Sequence, residues 1–365
     1  MTRLIYFSRD YTNHDLRFLS ALASTDYEVY YLRLERRREQ LEDRPLPVAV
    51  RQIKWAGGKQ TVNFFDGPNL LLDLRRVIKE VKPDLIHAGP IQRSAFLVAL
   101  SGFKPLISAS WGYDLLHDAD RNLFWRDATR YTLQRSAILI GDCDTVRNKA
   151  IEFGMPDNKI VTFPWGIELD SFIPGGFPFQ GSDQYTLLST RNWEPIYGVE
   201  ILAKAFVKSA QKNDELRLIM LGNGSLANQL RQTFTRGGVM DRVIFPGQVT
   251  HTDLPKYFQM ADIYVSASRT DGSSISLIEA FASGRPAIVS DIPGNREWVE
   301  PGVNGWWFID GDEDDLAEAI LSAADQRQNF PEMGRAARQT AEERADWGKN
   351  FSKLLAAYEV ALEHA

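Results

Sequence analysis

Cysteine is nearly missing from this chain: Cys143 is the only one in 365 residues. That excludes an internal disulfide framework and a zinc site built on thiolates. Long apolar runs are missing too. Stretches such as Ala95 to Leu100 are core-sized and fall short of the roughly 18 residues that span a bilayer. The chain opens on MTRLIYFSRD, which goes straight into a strand-like pattern rather than a secretory leader, so a cytoplasmic protein is the expectation. An overall basic excess is lacking. The net charge of −6 argues against nucleic acid as a partner. No Asp-x-Asp metal signature stands in a suitable place. The acidic run Asp310 to Asp315 lacks the spaced oxygen ligands of a calcium loop and reads as a helix N-terminus.

What is present is ordinary for a soluble globular protein, with 44% hydrophobic and 25% charged residues. The length exceeds the roughly 250 to 300 residues at which one core stops growing, so two domains are expected. Charge is uneven between the halves. Residues 1–180 carry 24 Lys/Arg against 22 Asp/Glu, and the remainder carries 18 against 26. The basic side includes Arg33, Arg36, Arg37 and Arg38, and the helix-like stretch with Arg75, Arg76, Lys79 and Lys82. Two readings stay open: a solvated surface, or a patch giving peripheral contact with anionic lipid at the inner face of a membrane.

Short β-rich runs alternate with amphipathic helical stretches. Strands are expected at 4–7, 28–32, 85–88, 106–110, 137–140 and 159–163, with helices between them at 14–23, 70–81, 92–100, 121–133 and up to Phe153. The strands are apolar along most of their length, as where helices cover both sheet faces, and the alternation implies βαβ units. A Gly/Pro/Ser-rich break at 174–183 reads as a linker. The alternation then restarts, with strands at 185–189, 217–221, 243–245, 263–265 and 287–289, and ends on an amphipathic helix near 347–362. The expected architecture is α/β: two facing Rossmann-like doubly wound domains with an interdomain cleft. The domains are set at residues 1–170 and 184–345, joined by a linker at 171–183, with 346–365 returning as a helix to the first. Ligands in such sheets bind beyond the carboxyl ends of the strands.

The richest segment is Ser266-Ala-Ser-Arg-Thr-Asp271-Gly-Ser-Ser-Ile-Ser-Leu-Ile-Glu279-Ala-Phe-Ala-Ser-Gly284-Arg-Pro286. A buried strand ends in a small polar turn, and Gly272, Ser273 and Ser274 lead into a helix. Serines there can cap the helix, and small residues let a phosphate approach its free N–H groups. Glu279, one to two turns in, is placed to accept the hydroxyl hydrogens of a ribose. Asp271 precedes the helix, where a sugar on the diphosphate would fall. An ordinary strand-turn-helix with a surface glutamate is the plain alternative. In the first half, His14 and Asp15, Trp111 and Asp114 sit in loops after strands and are candidates for the acceptor side. Their plain alternatives are structural rings and turn-capping carboxylates. His87 ends a strand and is a weaker candidate of the same kind.

These motifs resemble the retaining glycosyltransferases of the GT-B fold, in the GT4 family. That family shows Ser-x-x-Glu-x7-Glu-Ala, a Gly-x-Pro turn and a Gly-x-x-Glu loop. Ser268, Asp271, Glu279, Ala280, Gly284, Pro286, Gly294 and Glu297 fill those positions. Leu221-Gly-Asn-Gly224, the strand and loop Val243 to Val249, and Phe163 to Pro174 resemble further family segments. The resemblance implies transfer of a sugar from a nucleoside-diphosphate sugar to a glycan or lipid-linked acceptor, with retention, and with neither metal nor resident cofactor. It implies that Arg191 binds the diphosphate and Glu279 the ribose. Ser274 and Ile275 would offer backbone N–H groups, Asp271 the donor-sugar contact, Val249 the base contact, and Gly222 the glycine turn. Arg191, Asp271 and Glu279 are the candidate catalytic residues.

Departures from the family pattern are specific. Tyr197 stands where lysine is usual, removing one of two cations from the leaving group. Asp271 stands where glutamate is usual. Asp10-Tyr-Thr-Asn-His14-Asp15 replaces a glycine-rich loop, and Trp111 replaces a histidine. Two other functions remain open on sequence: a sugar-nucleotide epimerase of the same architecture, and a nucleotide-sugar-binding protein with little turnover.

Overall fold

The protein is described by a computed structural model over residues 1–36, 44–181 and 183–363. Its chain divides into two units, Met1–Phe163 with the residues from Lys349 onward, and Pro164–Gly348.

The first unit carries β1 (Arg3–Ser8), β2 (Glu28–Arg33), β3 (Arg51–Gln52), β4 (Leu85–Ala88), β5 (Leu106–Ala109), β6 (Ile138–Gly141) and β7 (Ile160–Thr162). They form one parallel sheet in the order β3-β2-β1-β4-β5-β6-β7. Every residue of β4, β5 and β6 is buried, because helices cover both faces. Expected and observed strands agree except at β3, whose two exposed residues carry no apolar pattern. Helices follow as the periodicity requires, with one difference. The run expected as a helix from Gln92 begins as a wider π-turn at Ile91–Ala95 and is α-helical only over Phe96–Ser101.

The second unit carries β8 (Tyr185–Ser189), β9 (Leu216–Leu221), β10 (Val243–Gly247), β11 (Ile263–Ser266), β12 (Ala287–Ser290) and β13 (Gly305–Phe308), again all parallel, in the order β10-β9-β8-β11-β12-β13. Both sheets are doubly wound, as the alternation implies. β13 falls outside the expected strands; Trp306 and Trp307 stand half-buried in it, and Phe308 is fully buried. The acidic run does begin a helix: Asp312 caps Glu313–Asp325 by accepting from the Asp314 and Asp315 N–H groups. The stretch 171–183, read as a linker, falls within the second unit, and Ser182 lies outside the described residues.

Parallel register aligns Tyr6 of β1 with Tyr31 of β2 and His87 of β4. Around them lies a buried polar network. Tyr358, on the terminal helix Trp347–Glu363, places its hydroxyl 2.5 Å from His87 Nδ1. His87 is therefore not an edge residue. It is buried within the unit, and burial drives its pKa down to about 3, so the ring is neutral. Arg33 pairs with Asp10, and Arg76 with Asp73 and Glu80, so part of the basic excess is neutralised locally. Arg37 and Arg38 lie outside the described residues.

Helix Asn13–Leu22 starts with a capping box. Thr12 Oγ1 accepts from the Asp15 N–H, and Asp15 Oδ2 accepts from the Thr12 N–H at 2.7 Å and its hydroxyl at 2.6 Å. Tyr6 donates to Asp15 Oδ1 at 3.1 Å. Burial nonetheless lifts the Asp15 carboxyl from 3.8 to about 6, against those hydrogen bonds. The folded protein therefore keeps this proton at pH values where the unfolded chain has released it. The contribution of Asp15 to stability is largest near pH 4 and falls as pH rises to 6 and above. Denaturant unfolding of wild type and Asp15→Asn at pH 4, 5.5 and 7 should show the wild type losing about 2–3 kcal/mol relative to the variant across that range. A pH-independent difference would mean that Asp15 ionises freely.

Candidate functional site

In each sheet the strand order reverses direction at one place, and there the flanking loops part. In the second unit that place lies between β8 and β11. The loop after β8 carries Arg191. The loop after β11 carries Asp271 and leads into the helix Ile275–Ala282.

Arg191 and Asp271, 80 residues apart in sequence, meet there with Nη2 to Oδ2 at 2.6 Å. Arg191 Nη1 donates to Ser274 Oγ and to Ser276 Oγ, both at 3.0 Å. Ser276 Oγ also lies 2.7 Å from the Tyr264 hydroxyl of β11. The Tyr197 ring lies against the guanidinium at 4.3 Å from its centroid. Burial works against the charge on Arg191, but Asp271 and the neighbouring tyrosines outweigh it and hold the group protonated. Burial pushes the Asp271 carboxyl up while Arg191 pulls it back. The result is a fixed cation, internally neutralised, at the start of a helix.

Ser274 is the residue before that helix, but its hydroxyl serves Arg191 and makes no cap hydrogen bond. The expected serine cap is thus replaced by a serine ligand of the arginine, leaving the first-turn N–H groups, those of Ser274 and Ile275 among them, for another acceptor. Glycines explain the tight packing. A Cβ at Gly222, where φ is +100°, would lie 2.8 Å from the Arg191 carbonyl oxygen, and one at Gly294 would collide with the Asp271 carbonyl. Farther along the helix, Glu279 is 5% exposed. His251 Nε2 lies 3.8 Å from its Oε1, and the His251 ring meets Phe172 edge-on at 5.7 Å. Val249 packs against the apolar cluster that contains Leu221 and Phe258. Glu297 is half-exposed, and its carbonyl oxygen accepts from Arg344.

The structure therefore brings Arg191, Asp271, Ser274 and Ile275 together, with Gly222 packed on the Arg191 backbone. It adds Ser276, Tyr264 and His251, which sequence reasoning missed, and it sets the ring of Tyr197, noted from sequence only as a lost lysine, against the guanidinium. The Ser274-x-Ser276 spacing was a usable signal, because both hydroxyls flank one helix start. His251 stands two residues beyond Val249 in the loop read as base-contacting, which was a usable signal too.

In the first unit the reversal lies between β1 and β4. Here the two carboxylates turn inward. Asp15 is 1% exposed and occupied by its capping box. Asp114 is 4% exposed. It accepts from the Ile91 N–H, the Ser110 hydroxyl and the Trp111 N–H, each at 2.8 Å, and burial raises its pKa to about 6. Both acids close loops. The rings remain at the edge: His14 and Trp111 are half-buried, 5.7 Å apart, and Trp111 also meets Phe18 edge-on at 6.0 Å.

Comparison with known proteins agrees with this geometry. Residues 178–344 match the family model described as glycosyl transferases group 1, and residues 13–166 match the glycosyl transferase 4-like domain. Among curated relatives, the GtfA subunit of the UDP-N-acetylglucosamine–peptide N-acetylglucosaminyltransferase of Streptococcus pneumoniae is 28% identical over 166 residues, 45% of this chain and 31% of that one. The chain thus spans less than a third of that relative. The GDP-mannose-dependent alpha-(1-6)-phosphatidylinositol monomannoside mannosyltransferase of Mycobacterium tuberculosis is 25% identical over 315 residues, 79% of each chain. The structure of Anabaena HepE in complex with UDP and glucose shares the fold, with a TM-score of 0.78, 18% identity, and coverage of 98% of this chain and 100% of that one. Two sheets wound in one sense, the arginine and the carboxylates at the reversal of the second, and family matches over both halves make this chain a GT-B glycosyltransferase of group 1, the GT4 family.

Proposed function

We propose that the protein transfers a sugar, with retention at the anomeric carbon, from a nucleoside-diphosphate sugar to a hydroxyl of a glycan or lipid-linked acceptor. One observation carries this reading: Arg191, Asp271 and two serine hydroxyls converge on an uncapped helix start, with the buried carboxylate of Glu279 on the same helix. A nucleoside diphosphate offers matching chemistry. Its phosphate oxygens replace Asp271 and the serines as acceptors for Arg191 and take the N–H groups of Ser274 and Ile275. Its ribose hydroxyls donate to Glu279, and Val249 meets the base through its backbone. Asp271, released from Arg191, accepts from the donor sugar. A relative named as GDP-mannose-dependent and a fold neighbour solved with UDP and glucose support the donor class.

In the proposed step the bond from the anomeric carbon to the diphosphate oxygen breaks. A bond from the acceptor oxygen forms on the same face, and the acceptor's proton passes to the departing phosphate oxygen. Arg191 and the helix N–H groups stabilise the charge that grows on that oxygen. No metal or resident cofactor enters this course. His14 and Trp111 offer the acceptor a flat aromatic contact, with Asp15 and Asp114 holding the loops behind them. The place of work in this proposal is the cytoplasmic side. Among the described residues no helix is long and apolar enough to cross a membrane. A peripheral contact fits Leu123 and Phe124, which are 78% and 51% exposed beside Arg121 and Arg126, better than the internally paired Arg76.

Thermal unfolding in the presence of UDP, GDP, ADP and their sugar conjugates should single out one nucleotide. A ligand bound only by the folded state adds about 2.7 kcal/mol at a hundredfold excess over its dissociation constant. Glu279→Ala should abolish that shift, and no shift with any nucleotide at millimolar concentration would sink the donor reading. Arg191→Ala should keep the fold and lower kcat by about 10²- to 10³-fold with the same donor. Unchanged turnover would remove Arg191 from the leaving-group role. Co-sedimentation with vesicles containing anionic lipid should fall when Leu123 and Phe124 are both changed to serine, and equal binding by that variant would refute the contact.

A further inference from the structure

The loop carrying Arg191 continues into a rigid turn. Pro195–Tyr197 forms a single 3-10 turn, with the Tyr197 N–H bonded to the Glu194 carbonyl at 3.0 Å and the Gly198 N–H to the Pro195 carbonyl at 3.1 Å. The Arg269 N–H bonds to the Ile196 carbonyl at 3.0 Å, tying this turn to the loop after β11. The Glu194 carboxylate accepts from the Ser225 N–H at 3.1 Å and its hydroxyl at 2.6 Å. Gly198 has φ +58°, and a Cβ there would overlap the Ala267 carbonyl. The Tyr197 backbone is thus pinned from several sides, and its ring packs on the main apolar cluster of the second unit.

Against this fixed ring stands the one arginine of the site. A guanidinium is planar, so its contacts divide into edge and face. The edge contacts are Asp271 at Nη2 and Ser274 and Ser276 at Nη1. The remaining edge nitrogen, Nε, is buried and has no hydrogen-bond partner among the described residues. Arg191 Cζ lies over the Tyr197 ring, 4.3 Å from its centroid. Any anion that enters must take over edge positions, since that is where the N–H groups point. The ring, held by its turn and the apolar cluster, stays in place through the exchange.

We infer that Tyr197 is a positioning residue, whose ring holds the Arg191 guanidinium in place while its edge partners change from Asp271 and the serines to the leaving diphosphate. This rests on the donor reading above. The resemblance to the family places a second cation where this ring stands. A tyrosine suits the task because its face attracts a cation without competing for its N–H groups. The hydroxyl is not what the inference uses.

The test compares Tyr197→Phe, Tyr197→Leu and Arg191→Ala in the full chain, with the nucleotide sugar found by the unfolding screen. Tyr197→Leu should lower kcat at least tenfold while the donor KM changes less than threefold and the unfolding midpoint holds. Tyr197→Phe, which keeps the ring, should retain at least half of kcat. Wild-type kcat in Tyr197→Leu would overturn the inference, and so would a loss in Tyr197→Phe as deep as in the leucine variant, which would assign the role to the hydroxyl. If Tyr197→Leu does not fold, the phenylalanine variant decides alone: half of kcat or more supports the ring, and less overturns it. The donor reading fails separately, if Arg191→Ala turns over like wild type.

Discussion

Parallel pairing is the constraint on which the rest depends. When every strand of a sheet runs the same way, all the carboxyl ends lie on one edge, and every loop from strand to helix begins there. Where the order reverses, between β1 and β4 and between β8 and β11, consecutive crossovers pass to opposite faces and leave a gap at that edge. Arg191 and Asp271 meet because the loops after β8 and β11 both open into one gap. The helix Ile275–Ala282 presents its first turn to the same gap because the turn before it is short and made of glycine and serine.

The two units use their edges differently, and the difference lies in where the carboxylates turn. In the first unit Asp15 and Asp114 point inward and are saturated by backbone and hydroxyl donors. They fix loops and leave rings, His14 and Trp111, at the surface. In the second unit Asp271 points at a cation and Glu279 sits buried on the helix that begins beside it. One edge therefore presents two aromatic rings, tilted 35° to one another. The other is charged and directional, suited to phosphates and hydroxyls. This division fits the proposed roles of acceptor and donor, and it follows from side-chain direction rather than from composition.

The main elements were legible because buried parallel strands are short apolar runs between amphipathic helices, and both kinds of run survive in the sequence. The β3 pair was not, because Arg51 and Gln52 are exposed and their pairing to β2 is a backbone matter. The motif around Asp271 and Glu279 was legible as spacing. The orientation of Ser274 was not, since a serine before a helix looks the same whether it caps the helix or binds an arginine. The burial of His87 depends on Tyr358, 271 residues away, and no local pattern reports that partner. Asp15 is the instructive miss. Thr12-x-x-Asp15 has the spacing of a capping box, so the inward turn of that carboxylate was readable from four residues.

The pairing of Arg191 with Asp271 is poorly explained by stability. Removing both charges from water costs several kcal/mol per ion, and mutual attraction repays this only in part. Two hydroxyls, a tyrosine face and a close glycine approach are added to hold one guanidinium. Such an arrangement makes sense where the cation must be present, oriented and dry before its partner arrives. Asp271 then acts as a resident counter-ion, keeping the charge tolerable in the free protein. In the proposed reading a diphosphate, with more negative charge and more acceptor atoms than one carboxylate, takes the place of Asp271 on the arginine without leaving the cation bare. The carboxylate so released then accepts from a hydroxyl of the donor sugar in that reading. On this argument the ion pair and the sugar contact are two states of one residue.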